Sequence, residues 1–199
     1  TLNAPIIVAP GSSFTLSNNA NLIQTNKYSI NFGNINVKRD SSPLYRLDYT
    51  MWSSPLSAGS QTLKQFSPAT LDDRFYTYNA STNFFTTISP NTYFAPGNSY
   101  LIRMPNTWTS NINGNPSSPY LGIFENGKPN NGLIQVPTVQ AGTDTYNMVG
   151  NPYPSSISTS KFVTHNTGRI RSTIYFWRRT NSTVAGGTNA YYATYNITS

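Results

Sequence analysis

Alternation of apolar and polar positions marks much of this chain as β-strand. In Tyr28-Ser29-Ile30-Asn31-Phe32 apolar residues recur at every second place, Gly33-Asn34 follows, and Ile35-Asn36-Val37 resumes the alternation. Period two sends successive side chains to opposite faces, and Gly-Asn tolerates the positive φ of a two-residue turn. The pattern predicts a hairpin in which Phe32 faces Ile35 and Ile30 faces Val37, because turn and apolar face then demand one register. Further short strands are predicted at Leu44 to Thr50, Arg74 to Tyr78, Ser99 to Met104, Tyr120 to Phe124, Leu133 to Val136, Tyr146 to Val149, Thr173 to Arg178 and Ala190 to Tyr195.

Turn-forming stretches separate these runs: Ala95-Pro96-Gly97-Asn98, Asn113-Gly114-Asn115-Pro116, the segment Gly127 to Gly132, and Ala185-Gly186-Gly187. Two brief helical turns are predicted, Leu63 to Phe66 and Thr159 to His165; in the second, Ser158 or Thr159 can cap the N-terminus and Asn166 can end it. The expected fold class is all-β: an antiparallel β-sandwich, jelly-roll-like, with one or two short helical turns.

Each helical turn follows a proline loop, which suggests two pseudo-repeated halves. Met51-Trp52-Ser53-Ser54-Pro55 precedes Phe66 and then Phe75-Tyr76-Thr77-Tyr78, much as Met148-Val149-Gly150-Asn151-Pro152 precedes Phe162 and then Tyr175-Phe176-Trp177. Few identities align, so the duplication rests on the order of elements. The expected organisation is residues 1–44 as N-terminal strands or a linker continuous with the sandwich, then a module over 45–199 with halves at about 45–105 and 140–199.

Composition sharpens this picture. Of 199 residues 37% are apolar and 10% charged, so polarity comes chiefly from Ser, Thr and Asn. Disordered chains lack aromatics, whereas this one has 14 Tyr, 10 Phe and 3 Trp, which suit pleated surfaces. Absence of cysteine excludes a disulfide framework, a thiolate metal site and a cysteine nucleophile. The longest aliphatic run, Ile6-Ile7-Val8-Ala9, falls far short of the roughly 20 residues of a membrane span. No basic stretch with an apolar core opens the chain, so any export signal is expected to have been removed or to lie in a longer precursor. The net charge of +7 favours anionic polysaccharide, lipopolysaccharide or, nonspecifically, nucleic acid.

Catalytic motifs are sparse. His165 is the sole histidine and would need carboxylate helpers to hold a metal or activate a serine. The acids Asp40, Asp48, Asp72, Asp73, Glu125 and Asp144 would make a glycosidase only if two converged about 5–10 Å apart across a cleft. The adjacent pair Asp72-Asp73 is the calcium candidate; a solvated turn before Arg74 is the simpler reading. No phosphate loop, His-Glu-x-x-His helix or Gly-x-Ser-x-Gly elbow occurs, so no cofactor and no catalytic residue is expected.

Binding chemistry is richer. Arg169, Arg171, Arg178 and Arg179 surround Tyr175-Phe176-Trp177, a mixture of cations and ring faces that can hold anionic sugars or single-stranded nucleic acid. Alternation puts Tyr175 and Trp177 on one face and Phe176 and Arg178 on the other, so part of this set is expected to build core. Trp52 and Trp108 are also stacking candidates, with Trp108, in the Asn106 to Asn115 loop, expected to be the exposed indole.

In Val149-Gly150-Asn151-Pro152-Tyr153-Pro154, Gly150 permits unusual backbone, Pro152 and Pro154 stiffen the strand exit, and Asn151 can bond local backbone. Trp52 and Pro55 hold the matching places in the first half. The alternative is that Asn151 and Tyr153 line a ligand groove.

That motif, extended through Ser155-Ser156-Ile157 and followed by Phe162, Ile174-Tyr175-Phe176-Trp177 and Tyr192-Ala193-Thr194-Tyr195-Asn196, resembles a recurrent module of large secreted cell-surface proteins of flavobacteria (Bacteroidetes). The same pattern covers Trp52-Ser53-Ser54-Pro55, Phe66-Ser67-Pro68, Tyr76-Thr77-Tyr78-Asn79, Gly97 to Arg103 and Pro129-Asn130-Asn131-Gly132, so the resemblance spans about residues 45–199. It implies export by the type IX secretion machinery and an extracellular or outer-surface location. Expected partners are surface glycan, matrix or neighbouring domains of the same precursor, with no membrane span and with nucleic acid disfavoured. It assigns no catalytic role to any residue. The leading expectation is thus a non-catalytic structural or adhesive module. The alternatives are a carbohydrate-binding module of a secreted hydrolase and a glycoside hydrolase using paired carboxylates.

Overall fold

Among the residues that the computed structural model describes, 1–109, 117–177 and 192–197, the chain forms nine strands and two helices. β1 (Thr15–Leu16), β2 (Ile35–Leu44) and β7 (Ser118–Gly127) make one sheet in the order β1-β2-β7. β3 (Tyr49–Trp52), β4 (Phe75–Asn79), β5 (Phe84–Thr87) and β6 (Tyr100–Arg103) make a second, ordered β3-β6-β4-β5. β8 (Thr173–Trp177) and β9 (Tyr192–Asn196) form a separate hairpin. Every pairing of these strands except β1 with β2 is antiparallel, which makes the fold an all-β, sandwich-like one.

The two larger sheets meet through aromatic side chains. On β2, Ile35 and Val37 point inward; on β6, Tyr100 and Ile102 do the same, facing Trp52 of β3 and Phe75 of β4 across the ladder. Helix α1 (Leu63–Phe66) drives Phe66 into the join: its ring stacks on Phe124 of β7 at 4.8 Å and meets Trp52 at 4.9 Å and Phe94 at 5.3 Å. Offset and edge-on ring pairs of this kind each add about 0.5–1.5 kcal/mol beyond area burial.

Both predicted helical turns form, each with a capped first turn. In α1 the Thr62 hydroxyl accepts from Gln65 N while the Gln65 side chain accepts from Thr62 N, a closed capping box. In α2 (Thr159–His165) Ser158 caps the first turn and Asn166 closes the last. The helices precede the hairpins β4–β5 and β8–β9 respectively.

The predicted hairpin at Gly33-Asn34 does not form. Ile35 and Val37 enter the core on β2, but Ile30 and Phe32 stay 70% and 53% exposed, and Phe32 pairs in parallel with Ile7. The deciding residue is Asn31, buried between them. Its side chain accepts from Ile6 N and Gln24 Nε2 and donates to Gln24 Oε1 and to Pro129 O. A fully bonded amide held by three separate segments outweighs two apolar contacts, because leaving it unbonded inside would cost about 1–3 kcal/mol.

Other boundaries also differ. Leu44 ends β2, Tyr45 to Asp48 form a turn closed by Asp48 N to Tyr45 O, and β3 begins at Tyr49. Leu133 to Val136 and Tyr146 to Val149 belong to no named strand; Val149 makes one bridge to Asn98. The turn Asn113 to Pro116, the segment Ala185 to Gly187, Ala190 and Arg178 lie outside the described residues.

Candidate functional site

Strand alternation builds an aromatic layer around β8–β9. Tyr175 and Trp177 share one face and both rings meet Tyr192, at 6.4 and 5.5 Å. Trp177 is the anchor: its Nε1 donates to Tyr49 O at 2.9 Å and its ring meets Phe85 at 6.3 Å. The hairpin therefore packs on the second sheet's other face, where Tyr49 meets Tyr76 and Tyr78 meets Phe85.

A strap over residues 139–147 braces the layer. Tyr146 meets Tyr175 edge-on at 5.5 Å, and the Asn83 side chain receives Tyr146 N and Tyr78 Oη while donating to Asp144 O. Burial pushes the hydroxyls of Tyr78 and Tyr192 above the usual tyrosine range, and for Tyr78 the neighbouring Tyr192 and Tyr146 add to it. Phe176 and Tyr195 open to solvent on the hairpin's opposite face, at 45% and 38%, yet Tyr146, Tyr175 and Tyr192, packed within the layer, are also between 41% and 48% exposed. Rings held this firmly and still open to solvent lose little freedom on binding.

The arginines predicted for this site divide. Arg171 is exposed, pairs with Asp144 at 3.4 Å and donates to Thr143 O, tying α2–β8 to the strap. Arg169 is exposed, with its backbone N–H bonded to Asn166 O. Arg178 and Arg179 lie outside the described residues.

Trp108 belongs elsewhere. The expectation of an exposed indole is corrected: it is half-buried, its Nε1 donates to Leu44 O at 3.1 Å, and its ring meets Tyr120 at 5.8 Å. Tyr120 in turn donates to Phe66 O, and burial raises its hydroxyl above the usual range. Trp108 thus pins its loop to the first sheet, whereas Trp177 packs on the second. Trp52 is core, and Pro55 is buried beside it.

The Gly150 to Pro154 motif is a crossing point of backbone. Gly150 N donates to Gly97 O, and a Cβ at Gly150 would overlap the Ser53 side chain, so only glycine lets these segments touch. Asn151 accepts from Tyr153 N and donates to Ser155 O; Pro152 O accepts from Asn130 and Pro154 O from Leu22 N. Tyr153 donates to Gly132 O at 2.6 Å. Tyr153 also borders a small cleft of about 240 Å³ with Gln24, Lys27 and Asn131, but the Asn131 amide is spent on Asn26 O and Ser29 O. The motif's polar groups hold the fold together.

The acids are dispersed. Asp72 pairs with Lys64 at 2.6 Å and Asp73 with Arg74 at 2.7 Å, so the adjacent carboxylates turn to different cations. Asp40 bonds Asn18, and Asp48 is buried in the turn before β3. His165 Nδ1 lies 2.9 Å from Lys161 O at the exposed end of α2. Among the described residues no three His, Cys, Asp or Glu side chains gather as a metal ion would require, and no helix is long and apolar enough to cross a membrane.

Sequence reading missed a wider groove, of about 790 Å³, where Ile7, Phe14 and Phe32 are exposed beside Asn34, Asn36 and Asn126. The proposed hairpin had placed Phe32 in the core. The only hint in the chain is the Pro10-Gly11-Ser12-Ser13 turn between two apolar stretches.

Fold and surface together define an all-β, sandwich-like domain that displays braced aromatic rings. The chain belongs to the family described as Domain of unknown function (DUF8693), whose model matches residues 1–199. No curated protein and no solved structure matches the chain.

Proposed function

We propose that this chain is a non-catalytic, exported module of the outer cell surface, of the type carried by flavobacterial proteins of the type IX class. Its aromatic faces hold glycan, matrix or neighbouring modules of its own precursor. The observation that carries the reading is the set of solvent-exposed rings around β8–β9, with Tyr146, Tyr175 and Tyr192 braced by Trp177 and Asn83 on one face and Phe176 and Tyr195 open on the other. Aromatic side chains supply large contact area with few rotatable bonds. The net charge of +7, with Arg169 and Arg171 exposed in the segment leading into β8, favours anionic polymers among the surface partners.

Plates coated with anionic polysaccharide, with matrix proteins and with the chain itself test this. The wild-type chain is expected to be retained by at least one, and Tyr175→Ala with Phe176→Ala to weaken retention about tenfold or more. Retention on the anionic polymer should fall as salt rises. Release of reducing ends from a polysaccharide, or no retention on any surface, would overturn the reading. Protease applied to intact cells of the native host is expected to cut the protein; complete protection would remove the export part.

A further inference from the structure

The groove lined by residues near the N-terminus is closed by backbone hydrogen bonds. Phe32 N donates to Ile6 O and Val8 N to Phe32 O, both at 2.9 Å, while Asn36 N donates to Phe14 O at 2.9 Å. Gly33, at φ +76°, closes the floor: a Cβ there would overlap the Val8 carbonyl oxygen, so any other residue would force the two backbones apart. The outcome is apolar surface set in rigid backbone yet facing solvent, with Ile7 73% exposed.

Most of the polar side-chain lining is left unspent. Asn36 Oδ1 accepts from Asn126 N, but its Nδ2 and the side-chain amides of Asn34 and Asn126 have no protein partner among the described residues. An amide offers both donors and an acceptor, as a sugar hydroxyl requires. Among the described residues no charged one lines the groove, although the whole chain carries +7. The backbone groups of Phe32 are already paired, so recognition there falls to side chains rather than to strand addition. A volume of about 790 Å³ is ample for small-molecule ligands.

We propose that this groove is a binding site for neutral glycans, with the rings of Phe14 and Phe32 against the C–H faces of pyranose units and the amides of Asn34, Asn36 and Asn126 on their hydroxyls. The site is separate from the C-terminal aromatic layer and stands without it.

Calorimetric titration of the full chain with cellohexaose, xylohexaose and chitohexaose, at low and high salt, tests the assignment. At least one sugar is expected to bind, with an affinity that salt leaves unchanged, since no ion pair is formed. Phe32→Ala should weaken that affinity about tenfold or more, and Asn36→Ala severalfold. Phe32 is exposed, so its variant should keep the wild-type circular dichroism spectrum. Absence of binding by every neutral sugar up to about 10 mM would overturn the proposal, whatever the chain does with an anionic polymer. So would neutral-sugar binding that survives Phe32→Ala but is lost in Tyr175→Ala, which would move the ligand to the C-terminal layer.

Discussion

Phe66→Ala is expected to cost the sandwich about 3–5 kcal/mol, the largest single-residue effect predicted for this chain. Phe66 lies on a helix of one turn, is 4% exposed, and touches rings from both sheets: Phe124 and Tyr120 on one side, Trp52 on the other, and Phe94 beside them. Truncation therefore opens a void at the join, where rigid ladders on both sides resist collapse. Urea unfolding followed by tryptophan fluorescence checks this, since Trp52 borders the void. The midpoint should fall while the slope stays constant. Phe66→Leu, which refills part of the space, should recover a good part of the loss. A cost below about 1 kcal/mol for the alanine variant would mean that the two sheets do not depend on this ring.

Gly150→Ala is expected to destabilise by about 1–3 kcal/mol although it adds a single methyl group. The new Cβ would overlap the Ser53 side chain and lie 3.0 Å from Asn98 O, in the place where Gly150 N bonds Gly97 O. Relief requires the Met148 to Pro154 segment to move away from the β3 exit. That would also strain the bonds from Asn130 to Pro152 O and from Leu22 N to Pro154 O. Ser53→Gly removes the atoms that would be struck. The double variant should thus be more stable than the sum of the two single costs predicts, with a coupling of about 0.5–3 kcal/mol. Additive costs in urea melts would show that the two segments do not share this contact.

These two sites also separate what local chemistry decides from what it does not. Both helical turns were legible, the second through a hydroxyl cap that acts within four residues of chain, whereas the Thr62–Gln65 capping box of the first came with the structure. β4, β6, β8 and β9 were legible as short aromatic or apolar runs flanked by turns, with small shifts of boundary. The division of Tyr175 and Trp177 from Phe176 across the two strand faces followed from period two alone, and the contacts of both rings with Tyr192 agree with it.

Composition and pattern by themselves determined the all-β class, the places of both helical turns and the aromatic character of the C-terminal hairpin. Each depends on neighbours in sequence, where propensity and periodicity operate. Tertiary structure alone decided that Asn31 goes inside and Phe32 stays out, because the partners of Asn31 come from residues 6, 24 and 129. It likewise decided that Trp108 spends its indole N–H on Leu44, and that Leu133 to Val136 joins no named strand. Apolar periodicity states which face a strand would bury. Whether that face meets a partner depends on hydrogen bonds closed across the whole chain, and those bonds left Phe14 and Phe32 open to solvent.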